Sequence, residues 1–186
     1  ITLGEGSTSQ GDFHEALNWA GIHCLPMITL VQNNQYAISV PLEKQMPVPN
    51  VADRGDAYGM PGVMYDGNDA LESYNVAREA VLRARRGEGP TLLEAKTYRP
   101  TPHSSDDDDR SYRSREEVEQ WKKRDPILRL ERTLRERGIL DDAEAERMAH
   151  RVMSRVDDAT EYAQRAPYPR GEDALHPVYG AFPHVD

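Results

Sequence analysis

Cysteine and lysine are nearly missing from this chain of 186 residues, with one of the first and four of the second. The lone Cys24 excludes an intrachain disulfide framework and fits a reducing compartment. By residue type it is expected to be a small buried apolar side chain. Positive charge is in deficit as well. Lys and Arg number 23 against 32 Asp and Glu, a formal net charge of −9, which argues against nucleic acid or an acidic membrane surface as a partner. No apolar run approaches the roughly 20 residues that span a bilayer. No Gly-Lys-Ser/Thr occurs, so a Walker phosphate loop is absent, and there is no internal repeat. The hydrophobic content of 38% is modest but allows a real core in a chain of single-domain size. The chain opens on Ile1-Thr2-Leu3 with neither Met nor leader. That suggests the C-terminal part of a longer polypeptide, from which a targeting peptide would be missing.

What is present alternates between strand and helix over the first 100 residues. Ile1 to Leu3 reads as a strand. Phe13, Ala16, Leu17 and Ala20 recur at helical spacing, which predicts a helix from about Gln10 to Gly21. Met27 to Gln32 is an apolar, β-rich run suited to a buried parallel strand. Tyr36 to Val40 is expected to continue extended to Pro41, with a loop at Met46 to Asn50 and a short helix through Tyr58. Gly62 to Asp66 is the next strand. Asp69 caps a helix running to about Arg86 and ending at Gly87, and Thr91 to Ala95 is a further strand. The rhythm predicts an α/β fold with a parallel sheet flanked by helices.

Beyond residue 99 the texture changes. Pro100 to Ser114 is polar and cannot fold by itself. The block Asp106 to Asp109 reads as a solvated acidic loop rather than a metal site, since like charges in sequence repel and stay exposed. Ser114 with Glu117 forms a capping-box pattern ahead of a helix carrying Val118 and Trp121. Asp125-Pro126 opens another helix, which Gly138 ends. Asp141 can cap a last long helix with Ala145, Met148, Ala149, Val152, Val156 and Ala159 on one stripe. Pro167, Pro169 and Pro177 mark an irregular tail. The expected division is 1–138, including the loop 99–114, and 139–186.

Two short signatures carry the chemistry. Gly4-Glu5-Gly6 follows the first strand, and Asn33-Asn34 closes the second, with Glu5 and Asn34 29 positions apart. In a parallel sheet both would lie at the carboxyl edge, where ligands bind. Glu5 offers a hard oxygen, Asn34 a side-chain carbonyl and Tyr36 a backbone carbonyl, a set suited to Mg²⁺ with phosphates or waters completing the shell. Gly6 lets a phosphate approach the backbone, and the following helix start offers N–H groups to an anion. Taken alone, Gly-Glu-Gly reads rather as a glycine turn with an exposed Glu, since short Gly patterns are weak motifs. A Rossmann dinucleotide site fits badly. Ser9 stands where the third glycine belongs, and Gln32-Asn33-Asn34 replaces the ribose-binding acid.

Gly4-Glu5-Gly6 and Asn33-Asn34, with a helix between them, resemble the thiamine diphosphate motif. Asn33-Asn34-Gln35-Tyr36-Ala37-Ile38-Ser39, Tyr98-Arg99, Pro102-His103-Ser104-Ser105 and Ser111-Tyr112-Arg113-Ser114 resemble the α subunit of the 2-oxo acid dehydrogenase E1 family. The likeness extends from Leu3 to about Tyr179. It implies the diphosphate-binding part of a thiamine diphosphate-binding fold, partial here, with a helical C-terminal extension. It also implies that Glu5, Asn34 and the Tyr36 carbonyl hold Mg²⁺, that Gly6 and Ser7 touch the diphosphate, and that Ile38 lies against the cofactor. Gln32 stands where some relatives carry an Arg, and Glu5 replaces the commoner Asp, as in branched-chain members.

The same resemblance places His103 beside the cofactor, assisting acyl transfer to a lipoyl group. Imidazole as a class suits proton shuttling. Without the resemblance His103 reads as a solvated loop histidine. Arg99, Asp107, Tyr112 and Arg113 would order the loop, and Ser104 and Ser114 correspond to residues phosphorylated in some relatives. A phosphate on Ser104 would bring nearly two negative charges next to His103. The implied reaction is oxidative decarboxylation of a 2-oxo acid, of 2-oxoisovalerate type more than pyruvate or acetoin, with the acyl unit passed to lipoyl-lysine of the E2 acyltransferase. The implied partners are an E1 β subunit, in an α₂β₂ heterotetramer, and the E2 lipoyl domain. The alternatives are a non-catalytic interaction module and an acidic α/β domain for another phosphorylated ligand. The excess of Arg, 19 against 4 Lys, suggests a GC-rich bacterial source and hence the cytoplasm rather than a mitochondrial matrix.

Overall fold

The computed structural model describes residues 1–175. The chain divides into two compact units, Ile1–Arg137 and Gly138–Asp186. Pro177, Tyr179 and the rest of the tail expected to be irregular lie partly outside the described residues.

The first unit is built on a four-stranded parallel sheet. Its strands are β1 (Thr2–Gly4), β2 (Ile28–Asn33), β5 (Gly62–Asp66) and β6 (Thr91–Lys96), in the order β1-β2-β6-β5. Register places Gly4 opposite Gln32, and Asn33 opposite Lys96. Because every pair is parallel, the carboxyl ends of all four strands share one edge. Helix α1 (Gly11–Ile22) joins β1 to β2, and α2 (Ala70–Arg85) joins β5 to β6.

Both faces of the sheet are buried, which is why its strands read as apolar runs rather than as alternation. On one face Val31 and Leu92 pack with Phe13 and Leu17 of α1 and with Met46, Val51 and Met60. On the other, Leu93, Ala95 and Tyr65 pack with Ala80 of α2, flanked by Leu30 and Val63. The segment containing Val51 and the 3₁₀ helix Ala52–Tyr58 thus does the work of a covering helix.

Helix boundaries follow their caps. Asp69 accepts from the Leu71 and Glu72 N–H groups, both at 3.0 Å. Ser114 accepts from Glu117 N–H at 3.1 Å at the start of α3 (Arg115–Lys122). Asp125 accepts from Ile127 N–H at 2.8 Å before α4 (Pro126–Glu136), and Pro126 takes the first turn, where no N–H is needed. Gly138, at φ 65, supplies the left-handed exit after α4. In the second unit Asp141 caps α5 (Asp142–Arg165), whose Met148, Val152 and Val156 are exposed.

Three local expectations are corrected. The chain does not run extended from Tyr36 to Val40. It makes a small antiparallel pair, β3 (Tyr36–Ala37) with β4 (Val40–Pro41), and Ile38 takes φ 57 at the reversal. Cys24 is exposed, at φ 50 in the turn after α1, with its sulfur 3.6 Å from the Gly87 carbonyl in a surface loop rather than in the core. Asp109, expected to be solvated with its neighbours, is buried, since Arg113 supplies a counter-charge four residues on.

Candidate functional site

The first strand ends at Gly4, and the chain turns at once into a 3₁₀ helix, Glu5–Ser9, before α1 begins at Gly11. The helix expected from about Gln10 begins at Gly11, just beyond this turn. The tight coil draws Glu5 inward to only 2% exposure. The Thr8 hydroxyl donates to the Glu5 carbonyl at 2.7 Å, which holds the turn closed.

Glu5 faces the end of β2. Its Oε2 accepts from the Asn34 N–H at 3.2 Å, whereas its Oε1 is buried with no hydrogen-bond partner. A buried, unpartnered carboxylate oxygen is costly unless a cation or donor meets it. Asn34 Oδ1 accepts from Tyr36 N–H at 3.2 Å and retains a second lone pair. Gln35 sits between them at φ 76, so the backbone turns back there before Tyr36 opens β3. Among the described residues no three His, Cys, Asp or Glu side chains converge as a metal cluster. The set expected here differs in kind, with one carboxylate, one amide oxygen and one backbone carbonyl. That is a hard-oxygen set suited to Mg²⁺ rather than to Zn²⁺, and the orphaned Glu5 oxygen fits it.

Gly6 has a second reason to be glycine. A Cβ there would lie 2.6 Å from the Ala37 Cβ, so the 3₁₀ turn and β3 touch through the missing side chain. Ser7 is exposed beside it, and Gln32, also exposed, precedes Asn33 on β2.

The histidine loop leaves β6, the strand next to β2, on the same edge. Arg99 spans the two pieces. Its Nη2 donates to the Ile38 carbonyl at 2.6 Å and to the Tyr112 hydroxyl at 3.1 Å, while Nη1 lies 3.4 Å from His103 Nδ1. A guanidinium only donates, so Nδ1 is the acceptor and the neutral ring carries its proton on Nε2. Asp107 Oδ2 accepts from the His103 N–H at 2.8 Å and from the Tyr112 hydroxyl at 2.5 Å. The hydrogen bond from Tyr112, then that from the His103 N–H, holds the Asp107 carboxyl below the usual carboxylate range. His103, Ser104 and Ser105 are exposed. Ile38 is also exposed, its carbonyl engaged by Arg99.

Arg113 is the hub of the loop. Its side chain is fully buried and pairs with Asp109 Oδ2 from Nη2 at 2.7 Å. It also donates to the carbonyls of Arg99 and Thr101. Its guanidinium carbon stands 5.9 Å from the Tyr36 and Tyr112 ring centroids and 5.3 Å from that of Tyr98. Tyr98 in turn stacks on Trp121 at 5.0 Å. Glu117 is the second half of the expected capping box, but its carboxylate turns to the core instead. It accepts from the Tyr36 hydroxyl at 3.0 Å and from the Tyr98 hydroxyl at 2.9 Å. Burial, reinforced by these bonds to Glu117, raises both phenols, that of Tyr98 to about 12.

Sequence reasoning missed Glu94, buried in β6, and misplaced the carboxylates of Asp109 and Glu117. Asp109 carried a usable signal in the Asp109–Arg113 spacing of four, which suits a local ion pair. Glu94 and Glu117 meet partners 61 and 81 residues away, which no local pattern encodes.

A family model described as "Dehydrogenase E1 component" matches residues 1–172. The 2-oxoisovalerate dehydrogenase subunit alpha of Bacillus subtilis is 55% identical over 179 residues, covering 96% of this chain and 54% of that protein. The 3-methyl-2-oxobutanoate dehydrogenase subunit alpha of Mycobacterium tuberculosis is 48% identical over 161 residues, covering 84% and 44%. The pyruvate dehydrogenase E1 component subunit alpha of Acholeplasma laidlawii is 41% identical over 159 residues, covering 85% and 46%. The chain thus spans about half the length of the curated relatives it matches. A parallel sheet whose edge gathers the Glu5 turn, the Asn34 turn and the His103 loop, with a family match over nearly its whole length, shows that this chain belongs to the dehydrogenase E1 component family.

Proposed function

We propose that this chain is the diphosphate-gripping part of the α subunit of a 2-oxo acid dehydrogenase E1, acting on a branched-chain 2-oxo acid of 2-oxoisovalerate type. The observation that carries the reading is the buried Glu5 carboxylate, with one oxygen bound to the Asn34 N–H and the other left without a partner. Glu5, the Asn34 amide oxygen and the Tyr36 carbonyl would hold Mg²⁺, and Gly6 and Ser7 would border the diphosphate. Bound thiamine diphosphate supplies the electron sink that decarboxylation of a 2-oxo acid requires.

The chain's own residues bind, orient and move protons. Glu5 and Asn34 would hold the cation at the carboxyl edge of β1 and β2. Arg99 and Asp107 hold the His103 backbone and ring, so that Nε2 can deliver or accept a proton as the acyl unit passes to a lipoyl group. Ile38, exposed at the strained reversal, would lie against the cofactor. The partners of this reading are an E1 β subunit in an α₂β₂ assembly and the lipoyl domain of an E2 acyltransferase, working in the cytoplasm. No helix among the described residues is long and apolar enough to cross a membrane. The branched-chain substrate is favoured by the 55% and 48% identities to 2-oxoisovalerate and 3-methyl-2-oxobutanoate enzymes, against 41% to a pyruvate enzyme.

The test is turnover by the full-length α subunit assembled with its β subunit, with 2-oxoisovalerate and pyruvate compared by kcat/KM. A clear preference for 2-oxoisovalerate is expected. A preference for pyruvate would overturn the substrate, and no decarboxylation of either would overturn the function.

A further inference from the structure

Glu94, a carboxylate with no part in the chemistry proposed above, lies at the centre of the sheet. It sits in β6 between Leu93 and Ala95 and is completely buried. Leu92, two residues earlier, packs in the core beneath α1, so strand alternation turns Glu94 to that same face. A leucine there would need no partners, whereas a dehydrated carboxylate needs several. Glu94 has them. Oε1 accepts from Asn33 Nδ2 at 2.6 Å and pairs with Lys96 Nζ at 2.7 Å, and Oε2 accepts from the Ala52 N–H at 2.8 Å. Lys96 Nζ also donates to the Pro49 carbonyl at 3.1 Å. One side chain therefore ties β2, β6 and the segment covering them.

The Asn33 link bears on the site. Because Glu94 only accepts, it holds the NH₂ end of the Asn33 amide and thereby aims Oδ1 the other way. Oδ1 accepts from the Gln35 N–H at 3.1 Å, closing the turn in which Gln35 stands at φ 76. Rotated by half a turn, the Asn33 amide would present NH₂ to the Gln35 N–H, and the closure would be lost. The Asn34 N–H that meets Glu5, the Asn34 oxygen and the Tyr36 carbonyl all belong to this turn.

We propose that Glu94 is the positioning residue of the cation site: through Asn33 it fixes the 33–36 turn that presents Asn34 and Tyr36 to a divalent cation. It touches neither metal nor diphosphate. The inference rests on the reading of Glu5, Asn34 and Tyr36 as that site.

The assembled α/β enzyme is titrated with Mg²⁺ at saturating thiamine diphosphate, with binding followed by calorimetry, and its thermal midpoint is measured separately without Mg²⁺. Glu94→Leu fills the space but takes away every oxygen that the Asn33 NH₂ meets there. The Mg²⁺ half-saturation concentration should rise ~10- to 100-fold, the usual cost of losing a partner behind a metal ligand. The exchange variant Asn33→Asp with Glu94→Gln puts acceptor opposite donor again and should recover most of that loss. If Glu94→Leu does not accumulate, Asn33→Ser cuts the same link from the other side and carries the same expectation. An unchanged half-saturation overturns the inference, with or without a fall in the thermal midpoint, as does a loss that the exchange variant leaves uncorrected. No Mg²⁺-dependent binding by the unmodified enzyme would instead bring down the cation-site reading itself, and the inference with it.

Discussion

Glu5 and His103 are held in opposite ways, and each arrangement suits a different task. Glu5 is sunk at a strand end with one oxygen unused, so in the free protein it is a cost that a cation would remove. His103 is exposed, with its backbone fastened by Asp107 and its Nδ1 met by Arg99, so its Nε2 edge stays available. His103→Ala should leave thiamine diphosphate affinity intact. It should lower lipoyl-dependent turnover of the assembled complex by ~10²- to 10⁴-fold, the usual contribution of a positioned acid or base. Turnover equal to that of the unmodified complex would remove His103 from the chemistry. The placing of Glu5, Asn34 and the His103 loop on one sheet edge was legible in the sequence because each follows a strand with an apolar signal of its own, whereas His103 itself was singled out only by the family resemblance. Glu94 was not legible, because inside Leu92-Leu93-Glu94-Ala95 it reads only as a break in an apolar run, and its meaning lies in Asn33, on another strand.

At the scale of elements, the caps explain why the helices follow the sequence closely. Asp69, Ser114, Asp125 and Asp141 each accept a backbone N–H in the first turn. The irregular segments were harder to read, since long-range partners decide them. Ile38 could have stayed extended, but the β3–β4 pairing and the Arg99 bond to its carbonyl turn the chain at φ 57. Glu117 could have closed a capping box, but two tyrosine hydroxyls compete successfully for its carboxylate. The loop from Arg99 to Ser114 is organised about Arg113, wedged among three tyrosine rings and paired with Asp109. Arg113→Leu should strand the Asp109 charge, for which Arg115 at 3.8 Å is a weak substitute. Breaking a buried pair in this way costs about 3–5 kcal/mol, and that exceeds what a polar loop can recover. Hydrogen exchange should show amides 101–113 losing protection while β2 and β6 keep theirs. Unchanged protection across the loop would show that Arg113 is not what orders it.

For the whole chain, the parallel α/β character was readable from the order of strands and helices, but the strand order was not. β6 inserts between β2 and β5, and this insertion sets the histidine loop beside the Asn34 turn and Glu94 beneath it. Nothing in the spacing of the strands selects that arrangement over a simple sequential sheet. The site that results gathers three segments at one edge, in a chain that spans about half the length of its relatives. Its binding is therefore a property to be measured in the full α/β assembly. The most direct measurement is a calorimetric titration of thiamine diphosphate into that assembly, with and without Mg²⁺, for the unmodified enzyme and for Glu5→Ala. The unmodified enzyme should bind only when Mg²⁺ is present, and Glu5→Ala should lose affinity by more than the ~100-fold upper range of an outer-shell change. Binding by Glu5→Ala at the unmodified affinity would contradict the assignment of Glu5 to the metal.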